Sequence, residues 1–247
     1  MVSLFRSPGT IDSMKTALKF IEGPETCHYL PDRQSTQEFV VVARLSALEY
    51  ERKMDEGWRK FGAFLFRPVC GACQECRPIR ISTQEFRPNR SQMRALKRNS
   101  DLRVLAGSPV VDEARLDLYR RYHAAQAAEK GWPERDGDPV DYAHNFIRNP
   151  IPAVEISVWE GDALRAIALT DVTPNTISAV YHYHDPECRE RSLGTFTILQ
   201  TIALAEALSR RYVYLGYYVS DCGSMVYKSS YRPCEIMNSD GTWSAFT

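Results

Sequence analysis

The chain of 247 residues lacks a charge imbalance: 31 Lys and Arg stand against 31 Asp and Glu, for a formal net charge of zero. A protein that gripped nucleic acid by bulk charge alone would be strongly basic, so any polyanion has to be met by a local patch. Long apolar runs are missing as well. The most apolar stretch, 195–209, is one helix long and carries Gln200 and Glu206, which excludes a spanning segment and a membrane partner. The first residues, MVSLFRSPGT, have no apolar core behind their charges, so they do not read as a secretory signal. There is no internal repeat and no low-complexity tract. A hydrophobic content of 44% and a charged content of 25% suit a soluble globular protein, and exclude a disordered, collagen-like or coiled-coil chain. The seven cysteines are an odd count, and Cys27, Cys70, Cys73 and Cys76 fall in the first third of the chain. Without an export signal these point to reduced thiols or a metal site, and to a cytoplasmic location.

What is present divides into an N-terminal arm (1–26), a cysteine-containing and basic region (27–110) and a C-terminal domain (111–247). Residues 46–57 read as a helix, with Ser46 and Glu49 forming a capping box and Gly57 at the stop. Two more helices are predicted over 91–99 and 112–130, the second ended by Gly131 and Pro133. The second half changes to strands rich in Val, Ile and aromatics at 153–159, 163–170 and 176–183, joined by turns at Gly161-Asp162 and Pro174-Asn175. A helix over 195–209 carries Ile198, Leu199, Ile202 and Ala205 on one stripe, and a further strand follows at 212–219. Three antiparallel strands, a helix and a strand predict an α+β fold, a mixed sheet flanked by helices. That order is the core of the GNAT-type acyltransferase fold.

Four constellations carry chemistry. Cys70-Gly-Ala-Cys73-Gln-Glu-Cys76, with Cys27 upstream, has the spacing at which thiolates chelate zinc or an iron–sulfur cluster from a tight turn, and buried reduced thiols are the competing reading. From 76 to 103, eight cations (Arg77, Arg80, Arg87, Arg90, Arg94, Lys97, Arg98, Arg103) face only Glu85 and Asp101, a local excess suited to RNA phosphates or a carboxylate. Ser178-Ala-Val-Tyr181-His182-Tyr183-His184-Asp185-Pro186 followed by Arg191-Ser-Leu-Gly194 places polar groups where a strand gives way to a helix start, whose amides hold phosphate or an oxyanion. Tyr and His alternate there, so one pair faces a cleft and the other a core. The fourth is Tyr214-Leu-Gly-Tyr217-Tyr218 with Met225-Val-Tyr227-Lys228 and Tyr231-Arg232-Pro233, aromatics around cations that suit an acidic group.

Taken in order, these segments resemble the arginyl-tRNA–protein transferase family in its bacterial aspartate/glutamate leucyltransferase branch. The residues that carry the likeness include Cys27-x-Tyr-Leu-Pro31, Gly57-Trp-Arg-Lys-Phe-Gly62, Arg67-Pro-x-Cys70-x-x-Cys73-x-x-Cys76, Phe86-x-Pro-x-Arg-Ser-Gln92, Leu118-Tyr-x-x-Tyr122, Ser178-Ala-Val-Tyr181, Asp185-Pro186, Ser192-Leu-Gly194, Tyr214-Leu-Gly-Tyr217 and Met225-x-Tyr-Lys228. Gly57–Gly62 departs from the family's usual Gly-Phe-Arg-Arg-Ser-Gly but keeps its cationic pair, and 126–141 is atypical. The resemblance implies a doubled, diverged acyltransferase fold. It also implies transfer of leucine from leucyl-tRNA to proteins beginning with Asp or Glu, which marks them for degradation under the N-end rule, with no cofactor needed for the chemistry.

On this reading Asp185, Tyr181 or Tyr183 accepts a proton or orients the amine. Arg80, Ser192, Gly194, Tyr217, Tyr227, Lys228 and Arg232 bind substrate, with Arg80, Lys228 and Arg232 as candidates for the acceptor's carboxylate. Arg87, Arg90, Arg94, Lys97 and Arg98 bind tRNA, and Cys27, Cys70, Cys73 and Cys76 are the candidate metal ligands. Three alternatives stay open: an arginyl-transferring member of the family, a CoA-dependent N-acyltransferase, and an RNA-binding module organised by a cysteine-bound metal. Against CoA stands Phe196 where the Arg191-x-x-Gly194 motif calls for Gly or Ala.

Overall fold

The computed structural model describes residues 14–246. In chain order its first strands are β1 (Lys15–Thr26), β2 (Gln34–Arg44), β3 (Arg59–Phe61) and β4 (Phe64–Pro68), which form an antiparallel sheet in the order β1-β2-β4-β3. Of the expected N-terminal arm, residues 1–13 lie outside the described residues. Residues 15–26 are a strand rather than an arm, because their backbone pairs along β2 even though most of their side chains face solvent. Helix α1 (Ala47–Asp55) links β2 to β3 and starts as the sequence predicts, with the Ser46 hydroxyl accepting from Glu49 N–H and the Glu49 carboxylate accepting from Ser46 N–H.

The remaining elements are β5 (Arg77–Ser82), α2 (Arg90–Arg98), β6 (Arg103–Gly107), α3 (Glu113–Lys130), α4 (Pro139–Tyr142, continuing as a π turn over Ala143–Ile147), β7 (Ala153–Glu160), β8 (Ala163–Val172), β9 (Thr176–His184), α5 (Leu193–Ala207), β10 (Tyr212–Tyr218), β11 (Cys234–Met237) and β12 (Trp243–Ala245). Short 3₁₀ segments at Pro186–Arg191 and Val226–Ser230 follow β9 and β10. The strands β5 to β12 form one mixed sheet in the order β12-β11-β5-β10-β9-β8-β7-β6. The fold is therefore α+β, as expected. The expected boundary at 110/111 does not separate sheets, since β5 and β6 come from the N-terminal side of it and lie in the larger sheet.

Apolar periodicity decides the layers. On one face of the larger sheet, Ile198, Leu199, Ile202 and Ala205 of α5 bury against Ile79, Ile81, Ile177 and Val213, each large side chain contributing about 1.5–3 kcal/mol. On the other face Tyr50 and Met54 of α1 pack between Val40, Val42 and Leu65 of the smaller sheet and Tyr212 and Tyr214 of the larger. Beside them Leu118, Tyr119, Tyr142 and Phe146 cover Ile167, Leu169 and Tyr183.

One irregularity positions the site. Along β8 and β9, Thr170 pairs with Ala179 but Leu169 pairs with Tyr181, so Val180 is the extra residue of a β-bulge. Before it, Ser178 meets the Tyr50 hydroxyl at 3.2 Å on the α1 face. Beyond it, Tyr181 and Tyr183 take the face shared with α3, and alternation turns His182 and His184 the other way.

Candidate functional site at the divergence of two parallel strands

Strands β9 and β10 run parallel but pair only through Thr176, Ile177 and Ser178 with Tyr212, Val213 and Tyr214. Beyond that point they part. The β10–β5 register also breaks between Tyr214 and Tyr217, where Gly216 takes φ +84°, a conformation that side-chain-bearing residues seldom adopt. The parting leaves Ala179 to His182 on one strand and Gly216 and Tyr218 on the other partly exposed.

Two cations floor this opening. Arg59, from β3, is 6% exposed and donates from Nη2 to the Ala179 carbonyl at 3.1 Å, in the place where a strand partner would bond. Lys228, also 6% exposed, donates from Nζ to the Tyr217 carbonyl at 2.7 Å and lies 3.1 Å from Met225 Sδ. Both converge on Gly216: a Cβ built there would lie 3.6 Å from Lys228 Nζ and 3.8 Å from Arg59 Nε. The side-chain hydrogen bonds of both go to neutral acceptors, and Arg59 Nη1 is buried without a partner. Burial first, then the neighbouring Arg59, pulls the Lys228 ammonium down to about 7. The adjacent cation of the pair seen in the sequence, Lys60, is used differently. It points to the other side of β3 and pairs with Asp171.

The far side of the opening is the start of α5. Gly194 lies in its first turn, and the His184 imidazole packs over it, 3.5 Å from where a Cβ would sit. His184 Nδ1 is buried without a partner. Burial holds both His182 and His184 down at about 4, with Lys228 adding to the effect on His182, so both imidazoles are neutral at pH 7. The site thus combines two buried cations, neutral imidazoles and a helix N-terminus, which suits binding an anion beside a carbonyl under nucleophilic attack.

The structure brings Gly194, Tyr217, Tyr227 and Lys228 of the expected substrate residues around this opening. Tyr217 donates its hydroxyl to the Gly57 carbonyl at 2.9 Å, and Lys228 Nζ lies 6.0 Å from the centre of the Tyr227 ring. Ser192 adopts φ +55° just before α5, with its hydroxyl 3.5 Å from Arg98 Nη1. Arg80 and Arg232 are occupied elsewhere. Arg80 lies between the rings of Tyr212 and Trp243 and donates to Asp55 at 2.8 Å and Glu235 at 2.7 Å. Arg232 donates to the carbonyls of Ser229 and Phe246. Among the expected proton acceptors, Asp185 is 1% exposed and accepts from Arg121 at 2.8 Å, Arg165 at 2.7 Å and Glu187 N–H at 3.1 Å. The Tyr183 hydroxyl bonds that of Tyr142 at 2.7 Å, and the Tyr181 hydroxyl bonds His123 Nε2 at 2.8 Å. Arg59 was visible in the sequence as half of a cationic pair, but nothing there assigned it to the site.

The expected metal ligands Cys27, Cys70, Cys73 and Cys76 all line one cavity of about 960 Å³, together with Tyr29, Arg67 and Tyr217. Cys70 Sγ donates to the Thr36 carbonyl at 3.7 Å, Arg33 donates to Cys73 Sγ at 3.3 Å, and burial, followed by the other three thiols, pushes Cys76 up to about 12. Among the described residues no three His, Cys, Asp or Glu side chains stand together as a ligand set. No chemical step is derived through a metal at these cysteines.

The expected tRNA-binding residues form a ridge. Arg87, Arg90, Arg94, Lys97 and Arg98 are all exposed, and among the described residues none is in an ion pair. Helix α2 packs beside α5, and Arg98 and Asn99 donate to the carbonyls of Glu190 and Arg191 just before α5 begins. No helix among the described residues is long and apolar enough to cross a membrane.

The family description "Arginine-tRNA-protein transferase, N terminus" matches residues 25–94, and "Arginine-tRNA-protein transferase, C terminus" matches residues 114–238. The chain is 38% identical over 227 residues to the aspartate/glutamate leucyltransferase of Pseudomonas aeruginosa (strain LESB58), covering 91% of this chain and 94% of the relative. It is also 38% identical over 220 residues to that of Pseudomonas fluorescens (strain Pf0-1), covering 87% and 91%. Among solved structures, L-PGS from Bacillus licheniformis overlays with a TM-score of 0.45 at 12% identity, covering 87% of this chain and 80% of that one.

Proposed function

The chain belongs to the arginine-tRNA–protein transferase family, and we propose that, like the relatives named aspartate/glutamate leucyltransferase, it moves leucine from leucyl-tRNA onto the α-amine of proteins that begin with Asp or Glu. The observation that carries this reading is the 38% identity sustained over 91% of the chain. The product enters degradation through its new N-terminal residue, in the cytoplasm. The unit from β7 to β10 with α5 acts as a GNAT-type acyltransferase core, and the smaller sheet as its diverged second layer. Two features favour this: β9 and β10 are parallel strands that part after three pairs, and the N-terminus of a helix faces the gap.

The reaction is aminolysis of an ester. The amine nitrogen forms a bond to the leucyl carbonyl carbon, the bond from that carbon to the ribose oxygen breaks, and the amine's proton ends on the departing hydroxyl. An α-amine with a pKa of about 7.7–8.0 is substantially neutral near pH 7.5, so orientation and oxyanion stabilisation carry most of the acceleration. The amides at the start of α5 by Gly194 serve the oxyanion, and the basic ridge of α2 beside that helix serves the RNA 3′ end. Asp185 acts through its two arginines as an anchor for the end of β9, and Tyr181 and Tyr183 wall the strand from behind.

The test is transfer of labelled leucine and, separately, labelled arginine from their tRNAs to peptides that begin with Asp, Glu, Lys or Ala. Leucine on Asp and Glu peptides alone is the expected result. Label from arginyl-tRNA would overturn the leucyl branch, and no transfer from either by folded protein would overturn the activity.

A further inference from the structure

We propose that Arg59 and Lys228 together grip the side-chain carboxylate of the acceptor's first residue, Arg59 through Nη1 and Lys228 through Nζ, and so set the preference for acidic N-termini. The inference rests on the transfer reading above and names the part of the site that selects the acceptor.

Burying two cations side by side is costly unless something anionic meets them. Among the described residues no such group meets them. Lys228 bonds a carbonyl and a thioether, Arg59 bonds a carbonyl, and Arg59 Nη1 is left without a partner although the residue is 94% buried. Elsewhere the fold does neutralise its buried cations: Lys60 has Asp171 at 3.1 Å, and Arg115 has Glu155 at 2.5 Å. The exception at Gly216 is therefore specific. The positive φ of Gly216 calls for glycine, and both cations lie at contact distance from that one point on β10.

The chemistry of the anion follows from depth. A carboxylate on a short side chain can reach a floor that is 6% exposed while its own α-amine stays higher in the opening, near the carbonyl it attacks. A phosphodiester carries a nucleoside on either side and suits the exposed ridge of α2 instead. Arg59 supplies the planar fork that matches a carboxylate, and Lys228 a point charge. Sharing a carboxylate would also restore the ammonium form of Lys228, which burial and Arg59 otherwise weaken.

The test compares kcat/KM for peptides that begin with Asp and with its amide isostere Asn, in wild-type protein and in Arg59→Gln, Arg59→Lys and Lys228→Gln. Leucyl-tRNA affinity and the thermal midpoint are measured for each. The wild type is expected to prefer Asp by about 100-fold, and Arg59→Gln to reduce that ratio at least 10-fold, through the KM for Asp, with leucyl-tRNA affinity within 2-fold of wild type. Arg59→Lys should recover part of the ratio, and Lys228→Gln should reduce it as well. An unchanged Asp/Asn ratio in folded Arg59→Gln and Lys228→Gln overturns the proposal. So does a loss of leucyl-tRNA affinity with the ratio intact, which would assign the pair to RNA phosphate. If Arg59→Gln does not fold, Arg59→Lys decides, because a raised Asp KM at an unchanged thermal midpoint is expected and an unchanged KM contradicts. Absence of transfer by the wild type would instead strike the activity assigned above.

Discussion

Lys60 and Asp171 form an ion pair with Nζ 3.1 Å from Oδ2 and both side chains 1% exposed, joining β3 of the smaller sheet to β8 of the larger. Asn149 completes it, accepting from Lys60 through Oδ1 at 2.9 Å and donating to Asp171 Oδ1. Breaking one half of such a pair strands a buried charge, whereas removing both halves does not. Lys60→Met is therefore expected to cost about 3–5 kcal/mol in urea unfolding, and Lys60→Met with Asp171→Leu to recover most of that loss. Additive losses would show that the two charges act independently.

The basic ridge predicts a loss of a different kind. Arg90, Arg94 and Lys97 lie at positions i, i+4 and i+7 of α2 and so share one exposed face. Replacing Arg90 and Arg94 by Ala should weaken leucyl-tRNA binding and lower the slope of log affinity against log salt by about 0.7–0.9 per lost contact. The KM for an Asp peptide at saturating leucyl-tRNA should stay the same. A change confined to the peptide KM would remove the ridge from RNA binding.

Three desolvated histidines make stability fall in acid. His123, His182 and His184 are each held at about 4, chiefly by burial, against an ordinary value of 6.5. Between pH 6.5 and 4 the unfolded chain takes up protons that the folded chain refuses, so stability is full above 6.5 and is lost as the pH falls toward 4. Each histidine contributes at most about 1.4 kcal/mol per pH unit in that window. Urea midpoints measured at pH 7, 5.5 and 4.5 should decline, and His184→Gln should flatten the decline. Equal slopes in the variant and the wild type would contradict this.

Much of the frame was legible because it is local. The capping box at Ser46 and Glu49, the stripe of Ile198, Leu199, Ile202 and Ala205, and the turn at Gly161 each specify their element from neighbouring residues alone. The site was less so. Arg59 and Lys60 are adjacent cations of similar appearance, and only the side of β3 each occupies, with Asp171 more than a hundred residues away, makes one structural and leaves the other uncompensated. The bulge at Val180, which sends Tyr181 and Tyr183 into the aromatic core and turns His182 and His184 away from it, has no sign of its own in the sequence. Asp185 drew attention as a carboxylate at a strand end, and its arginines come from α3 and β8.

Placing transfer where β9 and β10 part has a direct consequence for bound substrate. Its most direct test is a crystal structure with an adenosine that carries leucine through a 3′-amide in place of the labile ester. The leucyl carbonyl is expected beside the start of α5 at Gly194, between Ala179–His182 and Gly216, with Arg59 and Lys228 beneath it. Leucyl density in the cavity lined by Cys27, Cys70, Cys73 and Cys76, with the opening between the strands unused, would contradict it.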